Sequence, residues 1–287
     1  MKFAADCVPC LLTRVIYETD LIDPSRREEA VRGALSIIAD GYPRGANSAL
    51  LATKVHRRVY DIIGNDDPYL DLKRRSNDAA KAVLDKAERF VDRSEDRLEA
   101  ACLVAIVGNI MDFGIDVGLE GPESFGRAFD EMLAQGIDVN EVHKMRAKVK
   151  AGSKVAYIVD NCGEIVLDRF LVQELQALGA NVVGVVKGEA ILTDATVEDL
   201  HQTGMIDVFD SHLDTGVFAV GLDLGRAPGL ASFLVNCDLI VSKGMANFEY
   251  LSDQGLPDVI YLLRTKCRPV ATAIGAEKGQ NVVRMMG

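Results

Sequence analysis

Positive charge is scarce in this 287-residue sequence, and long apolar runs are absent. Lys and Arg together number 32 against 43 Asp and Glu, so the formal net charge at pH 7 is −11. A surface of that sign repels nucleic acids and anionic membranes, and we expect neither as a partner. No apolar run is long enough to cross a bilayer, and Asp6 interrupts the N-terminal stretch where a secretory signal would be apolar. These absences favour a cytoplasmic location.

Several signatures of common enzyme classes are also missing. No G-x-G-x-x-G follows a predicted strand, which disfavours dinucleotide binding, and the phosphate-binding loop G-x-x-x-x-G-K-[ST] does not occur. The absence of G-x-S-x-G weighs against an α/β-hydrolase. A haloacid-dehalogenase-like phosphatase would have Asp-x-Asp after its first strand, but here the second residue after Asp160 is Cys162.

Cysteines are present but do not form a recognisable metal framework. The six cysteines are Cys7, Cys10, Cys102, Cys162, Cys237 and Cys267. Only Cys7 and Cys10 form a C-x-x-C pair, whereas a structural zinc site usually needs four nitrogen or sulfur ligands. Without a signal peptide we expect reduced thiols. Two interpretations of this pair stay open: small buried thiols, or a secondary thiol site with a metal or redox role.

The pattern of apolar residues divides the chain into two parts. Residues 1–150 read as successive helices, with Asn47 and Ser94 among the predicted helix starts. In residues 151–287, short β-branched runs alternate with helical stretches. The predicted strands cover 155–159, 182–186, 206–209, 239–241 and 259–263. This alternation predicts an α/β fold in which a helical N-terminal part precedes a mostly parallel sheet flanked by helices.

Oxygen-bearing side chains follow two of these strands. Asp160 and Asn161 come directly after the first strand, and Asp194 lies in the loop after the second. Ligands bind at the carboxyl ends of such strands, and hard oxygen donors are what Mg²⁺ prefers. The three residues are therefore candidate metal ligands. The alternative is that they cap the following helices.

The remaining candidate site residues are two lysines at strand ends and two polar residues that interrupt an apolar helix. Lys243 and Lys266 follow later strands, where a phosphate would need positive charge in so acidic a chain. Either could instead be an ordinary surface lysine. Asn109 and Asp112 interrupt an apolar helix one turn apart and could reach a substrate, or could simply mark a polar helix end.

Taken in order, these segments resemble a known enzyme family. The segments that carry the resemblance are Asn109-Ile110-Met111-Asp112-Phe113-Gly114, Asp160-Asn161-Cys162-Gly163-Glu164, Thr193-Asp194-Ala195-Thr196, Lys243-Gly244-Met245-Ala246-Asn247-Phe248-Glu249 and Lys266. Together they resemble the metal-dependent damage-control phosphatases, also known as domain of unknown function eighty-nine or as acidic-residue-methyltransferase-like. The Cys7/Cys10 opening resembles the short archaeal and bacterial branch.

This resemblance implies a Rossmann-like sheet in residues 151–287 and a phosphatase acting on small phosphorylated metabolites, such as sugar phosphates or damaged metabolites. It implies a divalent cation (Mg²⁺, Mn²⁺, Co²⁺ or Ni²⁺) held by Asp160, Asn161 and Asp194.

The implied substrate contacts, by the same resemblance, are Lys266, Lys243, Asn109, Asn247 and Glu249. In the reaction, Asp160 would serve as a metal ligand, and Glu164 or Asp112 would be the orienting group for direct attack by water. Two rival functions stay open, namely a carboxyl methyltransferase that uses S-adenosylmethionine and a non-enzymatic protein that binds a metal or a phosphometabolite.

Overall fold

The computed structural model describes residues 1–110 and 121–287. The predicted role of Asp112 lies outside these ranges. Within them the chain forms thirteen α-helices, which are α1 Cys7–Ile22, α2 Arg27–Gly41, α3 Ser48–Ile63, α4 Leu70–Lys81, α5 Leu84–Arg93, α6 Arg97–Gly108, α7 Phe125–Ala134, α8 Val142–Lys148, α9 Glu164–Ala177, α10 Val197–Thr203, α11 Pro228–Val235, α12 Gly244–Leu251 and α13 Arg268–Ile274. The seven strands of the described ranges are β1 Val139–Asn140, β2 Lys154–Ile158, β3 Asn181–Val186, β4 Ser211–Asp214, β5 Leu239–Lys243, β6 Val259–Arg264 and β7 Asn281–Met286.

The strands form one sheet in the order β1-β7-β6-β5-β2-β3-β4. All neighbours are parallel except β6 and β7, which are antiparallel. From β2 the chain first adds β3 and β4 on one side and then β5 and β6 on the other. The order therefore reverses at the carboxyl end of β2, which is where ligands bind in open parallel sheets.

Helix boundaries follow local capping chemistry. The Asn47 side chain accepts hydrogen bonds from the backbone N–H groups of Ala49 and Leu50, at 3.0 and 3.3 Å, and so begins α3. The helix ends at Gly64, whose φ of +65° is in the left-handed region. The predicted start of α3 is therefore confirmed.

Other local predictions were wrong. The stretch 206–209 is not a strand, because a short 3₁₀ turn at Met205–Asp207 precedes β4, which starts at Ser211. The expectation that residues 1–150 form only helices fails at Val139–Asn140, which are β1 and pair with β7 at the far edge of the sheet. Both errors concern short segments whose state is decided by tertiary pairing rather than by local pattern.

The helical part and the sheet share one apolar core. Helix α6 is buried from Leu98 to Gly108 almost without interruption and packs against α9. The backbones come close at Gly108, where an added Cβ would lie 3.1 Å from Cα of Glu164. In the described parts of the chain, no helix is both long and apolar enough to span a bilayer. The division into subdomains 1–150 and 151–287 stays a prediction.

Candidate active site

Asp160, Asn161 and Asp194 meet at the carboxyl edge of the sheet. Asp160 and Asn161 follow β2, and Asp194 lies in the loop after β3. Asn161 and Asp194 form an isolated backbone bridge, and the N–H of Ala195 donates to the carbonyl of Asp160 at 2.9 Å. The backbone thus brings the two loops together at the point where the strand order reverses. The three side chains are almost fully buried, each 3–4% exposed.

Two amides hold the Asp160 carboxylate in place. Its Oδ2 accepts from Nδ2 of Asn109 at 2.9 Å and from Nδ2 of Asn161 at 2.8 Å. The Oδ1 of Asn161 accepts from the hydroxyl of Thr193 at 2.6 Å. A carbonyl oxygen has two lone pairs, so this oxygen keeps capacity for a second partner. Asn109 therefore acts from the helical part as a support for Asp160.

Asp194 is positioned by a lysine that sequence reasoning did not select. Lys187 directly follows β3 and is 1% exposed. Its Nζ lies 3.3 Å from Oδ2 of Asp194 and 3.2 Å from Oδ1 of Asn247, and it also donates to the carbonyl of Gly221. The only sequence signal for Lys187 is its place at the end of a strand.

Beneath these residues lies a buried charge cluster. The Nζ of Lys243 donates to Glu164 at 2.6 Å, to Asp168 at 2.5 Å and to the carbonyl of Ala105 at 3.1 Å. Glu164 in turn accepts from Nδ2 of Asn109 at 2.8 Å through its other oxygen. All three ammonium protons of Lys243 have acceptors inside the protein, so none is left for a phosphate. The predicted phosphate contact from Lys243 does not fit this geometry.

Asn247, a predicted substrate contact, is also committed to the protein interior. Its Nδ2 donates to the carbonyls of Val159 and Lys243, at 2.9 and 2.8 Å. Its side chain is fully buried and links the residue after β2, the last residue of β5 and Lys187. The contacts indicate a supporting role.

In this cluster the carboxylates of Glu164 and Asp168 share the ammonium of Lys243, and the pKa values of Lys243 and Asp168 shift as a result. Burial alone would lower the pKa of Lys243, but Asp168 and Glu164 outweigh it and the pKa is raised. Burial, reinforced by the like charge of Glu164, raises the pKa of Asp168 to about 6 despite Lys243. The cluster therefore keeps its lysine charged.

Gly244 leaves room for the Asp160 carboxylate. This residue follows Lys243 with a φ of +74°, a conformation that favours glycine. A Cβ at this position would lie 1.7 Å from Oδ2 of Asp160 and 3.0 Å from Nδ2 of Asn109. The missing side chain is thus part of the construction of the site.

A cavity of about 310 Å³ opens above this edge of the sheet. Asp160, Asn161 and Asp194 belong to its lining, and Lys266 and Glu249 also line it. Lys243, Glu164, Asn109 and Asn247 lie outside the lining. The structure thus separates predicted residues that face the cavity from those that support them.

Among the cavity-lining residues of the helical part that sequence reasoning missed are two buried basic side chains, Arg14 on α1 and His56 on α3. Both are buried, with exposures of 8% and 1%. Nδ1 of His56 lies 2.9 Å from each carboxylate oxygen of Glu18. No spacing in the sequence links these residues, because they lie on separate helices.

The thiols of Cys7 and Cys10 line the same cavity, together with that of Cys267. Burial raises the pKa of Cys7 and, more strongly, that of Cys267, to about 11. Among residues 1–110 and 121–287, no group of three or more His, Cys, Asp or Glu could hold a metal ion. A thiol-based metal centre therefore has no support within the described residues, and the candidate metal site depends on the amide of Asn161.

Comparisons with known families, sequences and structures all point to one protein family. A family model described as the damage-control phosphatase ARMT1-like domain matches residues 3–282. The chain is 37% identical over 289 residues to a damage-control phosphatase of Archaeoglobus fulgidus, with 100% of both chains covered. It is 29% identical to a damage-control phosphatase of Pyrococcus horikoshii, over 97% of this chain and 96% of the other. A crystal structure of a DUF89 family protein from Pyrococcus horikoshii is similar with a TM-score of 0.88, at 28% identity, over 99% of each chain.

Proposed function

The chain belongs to the damage-control phosphatase ARMT1-like family and is a phosphatase, and we propose that it hydrolyses small phosphomonoesters with the help of a divalent cation. The observation that carries this proposal is the set Asp160, Asn161 and Asp194, which are buried in the cavity lining where the strand order reverses. Membership of the family suggests the cation, and the side chains present are suited to it.

The donor set fits a hard divalent cation. Two carboxylates and one amide oxygen are the ligands that Mg²⁺ and Mn²⁺ accept, with further positions left for water or phosphate. The absent Cβ at Gly244 keeps space beside Asp160. We propose that Asp160, Asn161 and Asp194 hold the cation. When bound, it supplies positive charge against the phosphoryl oxygens during transfer.

The other residues divide into those that bind substrate and those that support the site. Lys266, half-buried in the cavity wall after β6, is proposed to bind a phosphate oxygen through its ammonium. Glu249 on α12 and Arg14 on α1 border the space for the rest of the substrate. Asn109 and Glu164 are proposed as positioning residues, since Asn109 binds both Asp160 and Glu164.

Direct attack by water is the reaction we propose for this site. The water oxygen forms a new bond to phosphorus, the bond from phosphorus to the substrate oxygen breaks, and inorganic phosphate and an alcohol are released. Glu164 has both carboxylate oxygens engaged by Lys243 and Asn109, so it orients the site rather than attacking phosphorus.

The cavity limits the size of the substrate. Its volume of about 310 Å³ is at the small end of ligand pockets. That size suits a sugar phosphate or a similar phosphorylated metabolite, including a damaged one, and it is too small for a folded macromolecule.

The test is hydrolysis of p-nitrophenyl phosphate and of a panel of sugar phosphates by protein stripped of metal with a chelator. We expect no turnover until Mg²⁺, Mn²⁺, Co²⁺ or Ni²⁺ is added. Asp194→Ala should abolish metal-dependent turnover and weaken metal binding. Asp61→Ala, at an exposed position on α3, is the matched control and should behave like the wild type.

Two outcomes would contradict the proposal. One is full turnover by chelator-treated protein. The other is an Asp194→Ala variant that keeps both metal binding and activity. Methyl transfer from S-adenosylmethionine without phosphatase activity would favour the rival enzyme, and metal binding without turnover would favour a sensor.

A further inference from the structure

The roles proposed above give no residue of the described ranges 1–110 and 121–287 the task of protonating the departing alcohol oxygen. Glu164 is enclosed beneath the site by hydrogen bonds. Asp160 and Asp194 are assigned to the cation. Since Lys266 is assigned to the phosphate, the candidates within residues 1–110 and 121–287 are the other titratable side chains of the cavity lining, among them His56.

His56 is held in the cavity wall by a buried carboxylate. It lies on α3 and lines the cavity that also contains Asp160 and Asp194. Its Nδ1 is 2.9 Å from both oxygens of Glu18, which is fully buried on α1 and lies outside the lining. An ionised carboxylate only accepts hydrogen bonds, so Nδ1 carries a hydrogen. Because Glu18 engages Nδ1, a contact of His56 with a substrate in the cavity would use Nε2.

A hydrogen bond connects α3, the helix that carries His56, to the loop that carries Asp194. Tyr60, one turn after His56, accepts a hydrogen bond through its hydroxyl from the N–H of Leu192 at 2.9 Å. Leu192 lies two residues before Asp194 and also lines the cavity. The helix face that presents His56 is therefore fastened to the loop that carries a proposed metal ligand.

The chemistry of phosphate ester hydrolysis determines which proton transfer matters most. The transition state is loose, so the attacking water has formed little of its new bond while the leaving oxygen has gained much negative charge. Alcohols of metabolites are poor leaving groups, and they depart faster when a proton is delivered to that oxygen. A side chain that donates to the leaving oxygen therefore contributes more than one that activates the water.

We propose that His56 is the general acid of this phosphatase and that Glu18 is its positioning residue, an inference that rests on the proposed function. As the bond from phosphorus to the leaving oxygen breaks, its electron pair stays on that oxygen, which takes the proton from Nε2 of His56. The alcohol leaves, and the attacking water supplies the oxygen of the phosphate product. A proton of that water returns to His56 and restores the imidazolium that Glu18 stabilises.

The test compares two leaving groups in the same enzyme. p-Nitrophenolate departs without protonation, whereas the alkoxide of glycerol phosphate does not. His56→Gln should lower kcat/KM for glycerol phosphate by about 100- to 10,000-fold and that for p-nitrophenyl phosphate by less than about threefold. Glu18→Gln should show the same selectivity to a smaller extent. His143→Gln, at an exposed position on α8, is the matched control and should change neither value.

An equal loss on both esters would overturn the assignment, because it would mean that His56 binds phosphate or only supports the fold. Unchanged activity on glycerol phosphate would overturn it as well. If His56→Gln does not fold, as judged by circular dichroism, the ratio of the two activities in Glu18→Gln decides. A wild-type protein that hydrolyses neither ester with any metal would remove the proposed function and this inference together, whereas active wild type with an unchanged ratio removes only the inference.

Discussion

Gly244→Ala is the change that tests the proposed site most directly. The substitution adds a single carbon at a residue that contacts no substrate in the proposed reaction. That carbon would lie 1.7 Å from Oδ2 of Asp160, whereas real contacts of this kind are essentially never below 3.0 Å. The carboxylate must therefore move by about 1.3 Å, or the backbone must shift by a similar amount. Asn109 and Asn161 hold the same oxygen at 2.9 and 2.8 Å, so moving it breaks those hydrogen bonds.

The expected effect has two separable parts. Placing Ala at a positive φ costs about 1–2 kcal/mol of stability. Displacement of a reacting group by about 1 Å costs about 100-fold in rate, or about 2.7 kcal/mol of transition-state stabilisation. We therefore expect Gly244→Ala to lower kcat/KM by at least about 100-fold. Metal affinity should fall as well, since Asp160 is a proposed ligand.

The control isolates the backbone strain. Gly64 has a φ of +65°, and a Cβ added there would meet nothing within 4 Å. Gly64→Ala should cost similar stability in urea unfolding but leave metal binding and activity unchanged. The assays are calorimetric titration with Mn²⁺ and steady-state hydrolysis of p-nitrophenyl phosphate. A folded Gly244→Ala protein with metal affinity and kcat/KM close to wild type would refute the reasoning about Asp160.

Three further predictions follow from the same geometry. Lys266→Ala should lower kcat/KM by roughly ten- to a hundredfold at saturating metal, because a hydrogen bond between charged partners contributes about 1.5–3 kcal/mol. Lys266→Arg should restore only part of this loss. If Lys266→Ala stays within twofold of the wild type, Lys266 is a surface residue. Replacing Cys7 and Cys10 together by Ser should change kcat little, since no group of three or more His, Cys, Asp or Glu in residues 1–110 and 121–287 could hold a metal with them. A loss above tenfold in folded protein would show a thiol role in turnover. Because the pKa of Asp168 is raised from 3.8 to about 6, the native state holds that proton more tightly, and stability should decrease as pH rises from about 4 to 6. Asp168→Asn should remove this trend. In urea unfolding, the stability of the variant relative to wild type should therefore rise by up to about 3 kcal/mol between pH 4 and pH 6. A fall over the same range would contradict the raised pKa of Asp168.

The sequence allowed the sheet edge to be predicted well because parallel strands place their carboxyl ends together. Asp160, Asn161 and Asp194 needed only that rule, and the structure brings them into one cavity. The same rule could not separate Lys243 from Lys266. Lys243 is the last residue of β5 and its side chain enters the interior, whereas Lys266 lies in the loop beyond β6 and borders the cavity. Which way a side chain runs at a strand end depends on the helices packed there, and sequence alone does not give that packing.

The antiparallel pairing of β6 and β7 also could not be predicted from the sequence. Residues 281–286 are a short terminal run, and their direction is set by tertiary contact with β6. The edge pairing of β1 with β7 depends on that strand in turn. Neither strand contributes a residue to the candidate metal site, so these errors do not affect the proposed function.

In the helical part, the informative feature is a set of polar residues on the buried face of a helix. On α3, Thr53, His56 and Tyr60 share one buried side at helical spacing. A buried polar group without a partner is costly, so each of them requires a partner from another element. Thr53 accepts from the N–H of Val220 at 2.9 Å, and Tyr60 accepts from that of Leu192, so both fasten α3 to loops that line the cavity. His56 stands between them with Glu18 as its buried partner. Its neighbours on that face hold the helix in place, and His56 alone among the three lines the cavity, which is the physical reason to assign it the proton transfer rather than a structural role.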